Sequence, residues 1–507
     1  MKKNEIKIGA ILSYVIIVAN MVIGICYTPI LTKNLGQSEY GLYSLVTTII
    51  SYLTVLDFGF GNAIIIYTAK YRVKNEKEKQ SKLYGMFFII YMVISIVTFL
   101  LGVIITIKAD YIFKNSMTSS EINKARILLG ILTINLAVTF PLSIFSSIIT
   151  AYEKFVFLKM VNLIRITLNP IIMTILLKFG FKSVALVILT TVLNLVTLLL
   201  DYIFCKKRLK IKLIFEKFDI KLLKEIFAYS IWIFLNTIMD KINWSLDQFI
   251  LGTMCGTVVV AIYSVASQLN QMYLNFSTAI TGVMLPKISK MQEEGASDKE
   301  FTDIFVKTGR IQFIILFLIL SGFVLYGREF INIMWLGKEY DGAYIISVIL
   351  MVPLIIPLIQ NIGLNIIQAK NQYKFRVITL LVFAVFNIGI SVILAKFYNG
   401  IGAAIGTSLS IIFGQIIFMN IFYYKKTKID IPLFWKNIFK MFIPLLFVMM
   451  IGYLGKNIFK ILNVKILILE IIVYAIIYII FSYKFVVNEY EKELIDKPIN
   501  KLLRREK

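Results

Sequence analysis

The chain of 507 residues is 59% hydrophobic, charged at only 16% of its positions, and has a mean hydropathy of +0.82. No soluble domain hides so much apolar surface, so the composition requires a protein that crosses a membrane many times. The net charge of +25 does not mark a nucleic-acid binder, because the basic residues sit in short loops between apolar runs, as topology signals do.

The expected fold class is therefore an all-α polytopic membrane protein with about 14 transmembrane helices. Six apolar runs come first, at 8–31, 41–60, 83–107, 127–149, 157–179 and 184–205. The first follows a short basic segment, reaches full span length and lacks a small-residue cleavage site, so it reads as an uncleaved helix rather than a signal peptide. A basic linker at 206–224 precedes eight further runs, at 226–244, 257–285, 311–326, 343–364, 377–397, 402–423, 441–454 and 466–485. Cys26, Cys205 and Cys255 lie in or beside these runs without paired spacing, which suits packing rather than a disulfide or metal set. Most Lys and Arg residues fall at 70–82, 206–224, 287–310, 370–376, 425–440 and in the tail to Lys507. The positive-inside rule then places both termini in the cytoplasm and demands an even number of spans.

The two halves echo each other. Leu-Gly-x-x-x-Tyr-Gly-Leu-Tyr-Ser-Leu at 35–45 aligns with Cys-Gly-x-x-x-Val-Ala-Ile-Tyr-Ser-Val at 255–265. Asn169, Ile172, Ile175, Leu176, Lys178 and Phe179 align with Asn387, Ile390, Ile393, Leu394, Lys396 and Phe397. Ile148, Ile149 and Ala151 align with Ile366, Ile367 and Ala369, and Phe157 with Phe375. A shared offset of about 220 residues equals six spans, which predicts two parallel six-helix repeats facing a central cavity. The expected organisation is an N-terminal lobe at 1–205, the linker at 206–224, a C-terminal lobe at 225–424, and an accessory helix pair with a basic tail at 425–507.

Ionisable residues inside spans are costly and are functional candidates by default. In the seventh run, Asn236, Asp240, Asn243 and Asp247 recur at steps of four, three and four, on one helical face. Two accounts are open: the face lines the cavity and binds substrate or a coupling cation, or Asp247 marks the outer interface while the Asn residues pack between helices. In the fifth run Asn162, Arg165 and Asn169 share a face. The planar fork of Arg165 suits a pyrophosphate, and a buried ion pair with a carboxylate of another span is the alternative. Ser13, Asn20, Gly24 and Tyr27 form a stripe on the first run; Tyr263, Ser267, Asn270 and Gln271 lie on the eighth. These surfaces suit sugar hydroxyls or ordinary helix packing equally. Asp57, in Asp57-Phe58-Gly59-Phe60-Gly61, takes part in a gate or caps the segment that follows, with Gly59 and Gly61 permitting a bend or close approach. Asp201, beside Lys206 and Lys207, reads as a simple interfacial charge.

The stretch Pro29-Ile-Leu-Thr-Lys-x-Leu-Gly36, then Glu39-Tyr-Gly-Leu-Tyr43, then Leu56-Asp-Phe-Gly-Phe-Gly61 resembles the N-terminal signature of Wzx-type polysaccharide-biosynthesis flippases. Asp247-x-Phe-Ile-Leu-Gly252, Ala261-Ile-Tyr263 and Leu285-Pro-Lys-Ile-Ser289 extend the likeness into the second half. These motifs belong to the wider superfamily of multidrug, oligosaccharidyl-lipid and polysaccharide exporters. The resemblance implies a flippase that moves undecaprenyl-pyrophosphate-linked oligosaccharide from the inner to the outer leaflet by alternating access. It implies coupling to an ion gradient (H+ or Na+) or to the membrane potential, with no organic cofactor. Implied surroundings are membrane lipids and polysaccharide polymerase machinery in a bacterial plasma membrane, with no nucleic acid. Asp57, Gly59, Gly61 and Asp247 fall on motif positions; Arg165 rests on the cavity argument.

The chemistry agrees with that task. A pyrophosphate-sugar head cannot cross hydrocarbon unaided, whereas a polyprenyl tail remains in lipid. The sequence has no Walker-type phosphate loop and no His, so Asp57, Asp240 and Asp247 are the ion-coupling candidates. A drug exporter or a lipid II flippase of the same superfamily would share the architecture. A membrane enzyme needs catalytic groups in a sizeable outer loop, and here even the longest such loop, 108–126, clusters no convincing carboxylates.

Overall fold

The computed structural model describes residues 2–216, 219–282, 284–370, 372–458, 461, 463–494 and 496; the tail beyond Asp496 lies outside them. Every regular element among the described residues is a helix. The apolar runs dictate this, since a backbone in hydrocarbon must satisfy its polar groups within its own segment.

The first half contains α1 (Lys2–Leu35), α2 (Gln37–Leu53), α3 (Phe60–Val73), α4 (Lys77–Ile107), the short α5 (Ala109–Phe113), α6 (Ser119–Ala151), α7 (Phe155–Lys178) and α8 (Ser183–Lys207). The second contains α9 (Ile220–Met254), α10 (Thr257–Thr281), α11 (Leu285–Glu293), α12 (Asp298–Glu329), α13 (Asp341–Ile359), α14 (Ile362–Ala369) and α15 (Tyr373–Ser410). It closes with α16 (Met419–Lys425), α17 (Ile431–Ile458) and α18 (Val464–Phe485).

Eleven helices are long and apolar enough to cross a membrane, or twelve if the bent α9 is one span. By that measure the expected count of 14 is not reached. Two features account for the difference. α10 carries Gln268, Asn270, Gln271 and Asn275, which lower its apolarity. The run from Phe375 to Lys425 counts as one helix of 51 residues, yet it is interrupted at Asn399, where φ is 49°.

The repeat is visible in the backbone. Gly36 and Gly256 have φ of 79° and 85°, each one residue before a helix, α2 and α10 respectively. A Cβ disfavours that left-handed region, which explains glycine at both positions. Gly180 (φ 85°) and Asn399 (φ 49°) likewise interrupt the chain just after the matched Lys-Phe pairs.

Packing yields two compact units, 1–264 with 384–403 and 265–383 with 404–507. The first therefore extends past the basic linker at 206–224, which the sequence suggests as the divide, to Ser264 within α10. α9 packs on α2 and α3. The linker itself is tied to α4: Ile214 N–H donates to the Ser81 carbonyl at 3.1 Å, and Gly85 leaves room for the Ile214 backbone. Within the second unit, the accessory helices α17 and α18 pack on α12.

Candidate functional site

In the first unit, α6, α7 and α8 bring together a polar network inside otherwise apolar spans. The guanidinium of Arg165 donates to Asn162 Oδ1 on its own helix at 3.1 Å and to Asn194 Oδ1 on α8 at 3.3 Å. Asn194 in turn donates to Asn135 Oδ1 at 2.9 Å and Thr139 Oγ1 at 2.8 Å, both on α6. Asn169, one turn beyond Arg165, donates to Thr190 on α8 at 3.2 Å. The helical spacing of 162, 165 and 169 groups them on one side of α7, from which Arg165 and Asn169 reach α8. Arg165 stays half-buried, and a guanidinium has further N–H donors beyond these two bonds.

Asp201 corrects an expectation. It is 3% exposed rather than interfacial, and its charge acts on Arg165 from α8. One of its oxygens, Oδ1, has no hydrogen-bond partner. The two groups are not in contact as an ion pair; the guanidinium is held by neutral amides.

Asp57 ends a 3-10 turn, Thr54–Asp57, between α2 and α3. Phe58 (φ 53°) and Gly59 (φ 74°) then reverse the backbone into α3. Asp57 accepts a hydrogen bond from the Tyr91 hydroxyl of α4 at 2.7 Å. Gly59 is the N-cap of α3 and has no side-chain cap. Both close approaches expected of the glycines are present. A Cβ at Gly59 would lie 2.7 Å from Ile233 of α9, and one at Gly61 3.3 Å from the Ser147 hydroxyl of α6. Phe58 stacks on Phe234 at 4.6 Å, which fastens this turn to α9.

The α9 stripe is divided between two settings. Asn236 donates to Asp240 at 3.0 Å, and Asp240 is exposed. Asn243 is half-buried. Asp247 is buried and accepts a hydrogen bond from the hydroxyl of Tyr263 on α10. Beside it, Thr48 of α2 donates to Gln248. α9 also bends by 41° between Ile220–Ala228 and Ser230–Asn243. On α1, Asn20 is exposed and the Tyr27 hydroxyl is buried, while Ser13 donates to the Gly9 carbonyl at 3.0 Å. Asn270 belongs to the second unit, where it is buried and bonds back to Ala266 on its own helix at 2.9 Å.

Sequence periodicity missed the partners on other helices: Asn135, Thr139, Thr190 and Asn194 around Arg165, and Tyr91 at Asp57. Asn194 and Asp201, seven apart on α8, were the available signal. A further set lies at the starts of α2, α6 and α10. Glu121 accepts from Ser38 at 2.5 Å and Thr257 at 2.7 Å, and a Cβ at Gly41 would collide with the Thr257 carbonyl. Glu39 alongside is buried, accepting from Ser183 Oγ at 2.6 Å and Lys124 Nζ at 3.0 Å.

The sequence profile of polysaccharide biosynthesis proteins matches residues 6–292, more than half of the chain. The chain belongs to this polysaccharide biosynthesis protein family. A Shigella flexneri member of the curated proteins, described as "Putative O-antigen transporter", is 22% identical over 396 residues, covering 76% of this chain and 90% of its own. Among solved structures, the lipid II flippase MurJ in an inward closed conformation superposes with a TM-score of 0.72 at 18% identity, over 94% of this chain and 98% of its own. An inward-facing multidrug resistance MATE transporter matches with a TM-score of 0.64 at 14% identity, over 83% of this chain and 99% of its own. The structural likenesses establish the fold: this polysaccharide biosynthesis protein has the all-α transporter architecture of those two proteins.

Proposed function

We propose that this protein is a flippase that moves an undecaprenyl-pyrophosphate-linked oligosaccharide from the inner to the outer leaflet of a bacterial plasma membrane. The observation that carries it is Arg165: a half-buried cation within the spans of a polysaccharide biosynthesis protein, held by neutral amides with donors to spare. A planar guanidinium so placed suits a pyrophosphate, which presents several acceptor oxygens. The surrounding Asn and Thr side chains suit sugar hydroxyls. In this scheme the lobes 1–205 and 225–424 alternate access, the pair at 425–507 is accessory, and both termini face the cytoplasm. Asp57, Asp240 and Asp247 are the groups through which an H+ or Na+ gradient would act. The role is transport rather than catalysis, upstream of polysaccharide polymerase machinery.

The test is leaflet-resolved labelling of lipid-linked oligosaccharide in cells with and without the protein. Depletion is expected to leave the glycolipid on the cytoplasmic side. An unchanged distribution with normal surface glycan overturns the proposal; rescue of peptidoglycan synthesis would then point to lipid II, and ethidium efflux to a drug exporter.

A further inference from the structure

A cavity with a mainly apolar lining and one cation opens at the end of the first unit that carries the basic loops. It occupies about 550 Å3 between the start of α7, the start of α1 and the end of α6, and is lined by Gly9, Ser13, Thr150, Phe155, Lys159 and Asn162. That volume lies within the ~300–1,000 Å3 of small-molecule sites. Its floor is set by close helix approach, since a Cβ at Gly9 would come within 2.7 Å of Phe155 Cβ. The rim is braced by polar contacts: Arg72 donates to the Ala151 carbonyl at 3.0 Å, and Lys154 pairs with Glu5 at 2.7 Å.

The charge of this cavity is one-sided. Among the described residues, Lys159 is the single cation of the lining, no carboxylate lines it, and no carboxylate pairs with Lys159. Glu5 is engaged by Lys154 instead. Asn162 belongs both to this lining and to the Arg165 network: its Oδ1 accepts from Arg165, which leaves its amide N–H groups to donate. Lys159, Asn162 and Arg165 follow at steps of three along α7, so the two cations sit about one and a half turns apart with the amide between them. The Ser13 and Thr150 hydroxyls donate to carbonyls of their own helices, so the half-buried Lys159 ammonium and the Asn162 amide are the donors left to the cavity, and a phosphate ester matches them.

We propose that this cavity seats the phosphate of an anionic lipid headgroup, with Lys159 supplying the charge and the Asn162 amide a hydrogen bond. The lipid-linked pyrophosphate is captured here before it passes along α7 to Arg165. That second step rests on the flippase reading; the phosphate seat does not.

The test uses the full-length protein in nanodiscs, with retention of undecaprenyl pyrophosphate and of phosphatidylglycerol read by native mass spectrometry. Lys159→Gln is expected to weaken retention of undecaprenyl pyrophosphate at least roughly tenfold, with partial recovery in Lys159→Arg. Competition by inorganic pyrophosphate against the polyprenyl lipid alone assigns the seat to the lipid-linked substrate. Equal loss of phosphatidylglycerol keeps the phosphate seat but assigns it to bulk anionic lipid, removing the capture step. Should Lys159→Gln fail to fold, Ser13→Asp, which adds a carboxylate to the lining, is expected to reproduce the loss. Unchanged retention of both lipids in folded variants overturns the proposal. Leaflet labelling is independent of these arms: a protein that binds through Lys159 yet moves no glycolipid would refute transport and keep the seat.

Discussion

Arg165 and Arg310 are both arginines within long membrane helices, and their surroundings give them opposite roles. Arg310 of α12 is buried and meets Glu491 through two bonds, Nε to Oε1 at 2.6 Å and Nη2 to Oε2 at 2.9 Å, with the Val486 carbonyl as a third acceptor at 3.1 Å. Its charge is cancelled in place, and the pair fastens the segment after α18 onto α12. Among the described residues, Arg165 has only amide oxygens at hydrogen-bond distance and forms no ion pair. A cation held by neutral acceptors keeps its charge for a ligand; a cation in a bidentate pair spends it on the fold.

The largest expected effect tests the structural side. Glu491→Ala leaves a buried guanidinium without its partner and is expected to destabilise the protein by about 3–5 kcal/mol, read as a lowered melting temperature in detergent. A change near zero would remove Arg310 as the contrasting case. Replacing both partners together, as Arg310→Met with Glu491→Leu, is expected to recover most of that loss, because no charge is then left unpaired. At Asp57, Tyr91→Phe removes a hydrogen bond to a charged acceptor and is expected to cost about 1.5–3 kcal/mol in the same melt. Unchanged stability there would mean that the Phe58–Phe234 stack and the rest of the packing hold the turn without this bond.

Arg165→Ala sharpens the comparison from the other side. It removes neutral-acceptor bonds worth about 1–2 kcal/mol, while glycolipid transport is expected to fall at least roughly tenfold. Arg165→Lys should lie between, since an ammonium cannot bridge Asn162 and Asn194 as a planar fork does. Equal losses of stability and transport would make Arg165 a second Arg310. The smallest effect is expected of Thr257→Val: Glu121 keeps its bonds from Ser38 and Thr118, so the loss should be about 0.5–1.5 kcal/mol.

Much of the site was legible in one dimension. The steps between Asn162, Arg165 and Asn169 put them on one face of α7, and the structure keeps them there. The motif Asp57-Phe58-Gly59-Phe60-Gly61 left a bend or a close approach open, and the structure has both: left-handed backbone at Phe58 and Gly59, and Ile233 against Gly59. The α9 stripe shows where periodicity stops: Asp240 and Asp247 share a helical face, yet one is exposed and the other buried against Tyr263. A face is a property of one helix, whereas burial depends on which neighbour covers each end of it. Asp201 was misplaced for the same reason: the nearest basic residues along the chain, Lys206 and Lys207, suggest an interface, whereas packing against other helices buries it.

Apolar run length, basic loops and the repeated Gly, Asn and Lys positions by themselves determined a helical membrane protein built from related halves, with polar stripes on chosen helices. Those features follow from hydrocarbon thickness and helical pitch, which act locally along the chain. Only the tertiary structure decided the pairings: Arg310 with Glu491 across 181 residues, Arg165 with Asn194, and Asp57 with Tyr91. Those depend on how each helix is rotated and crossed against its neighbours, which close-packed side chains set and sequence spacing does not encode.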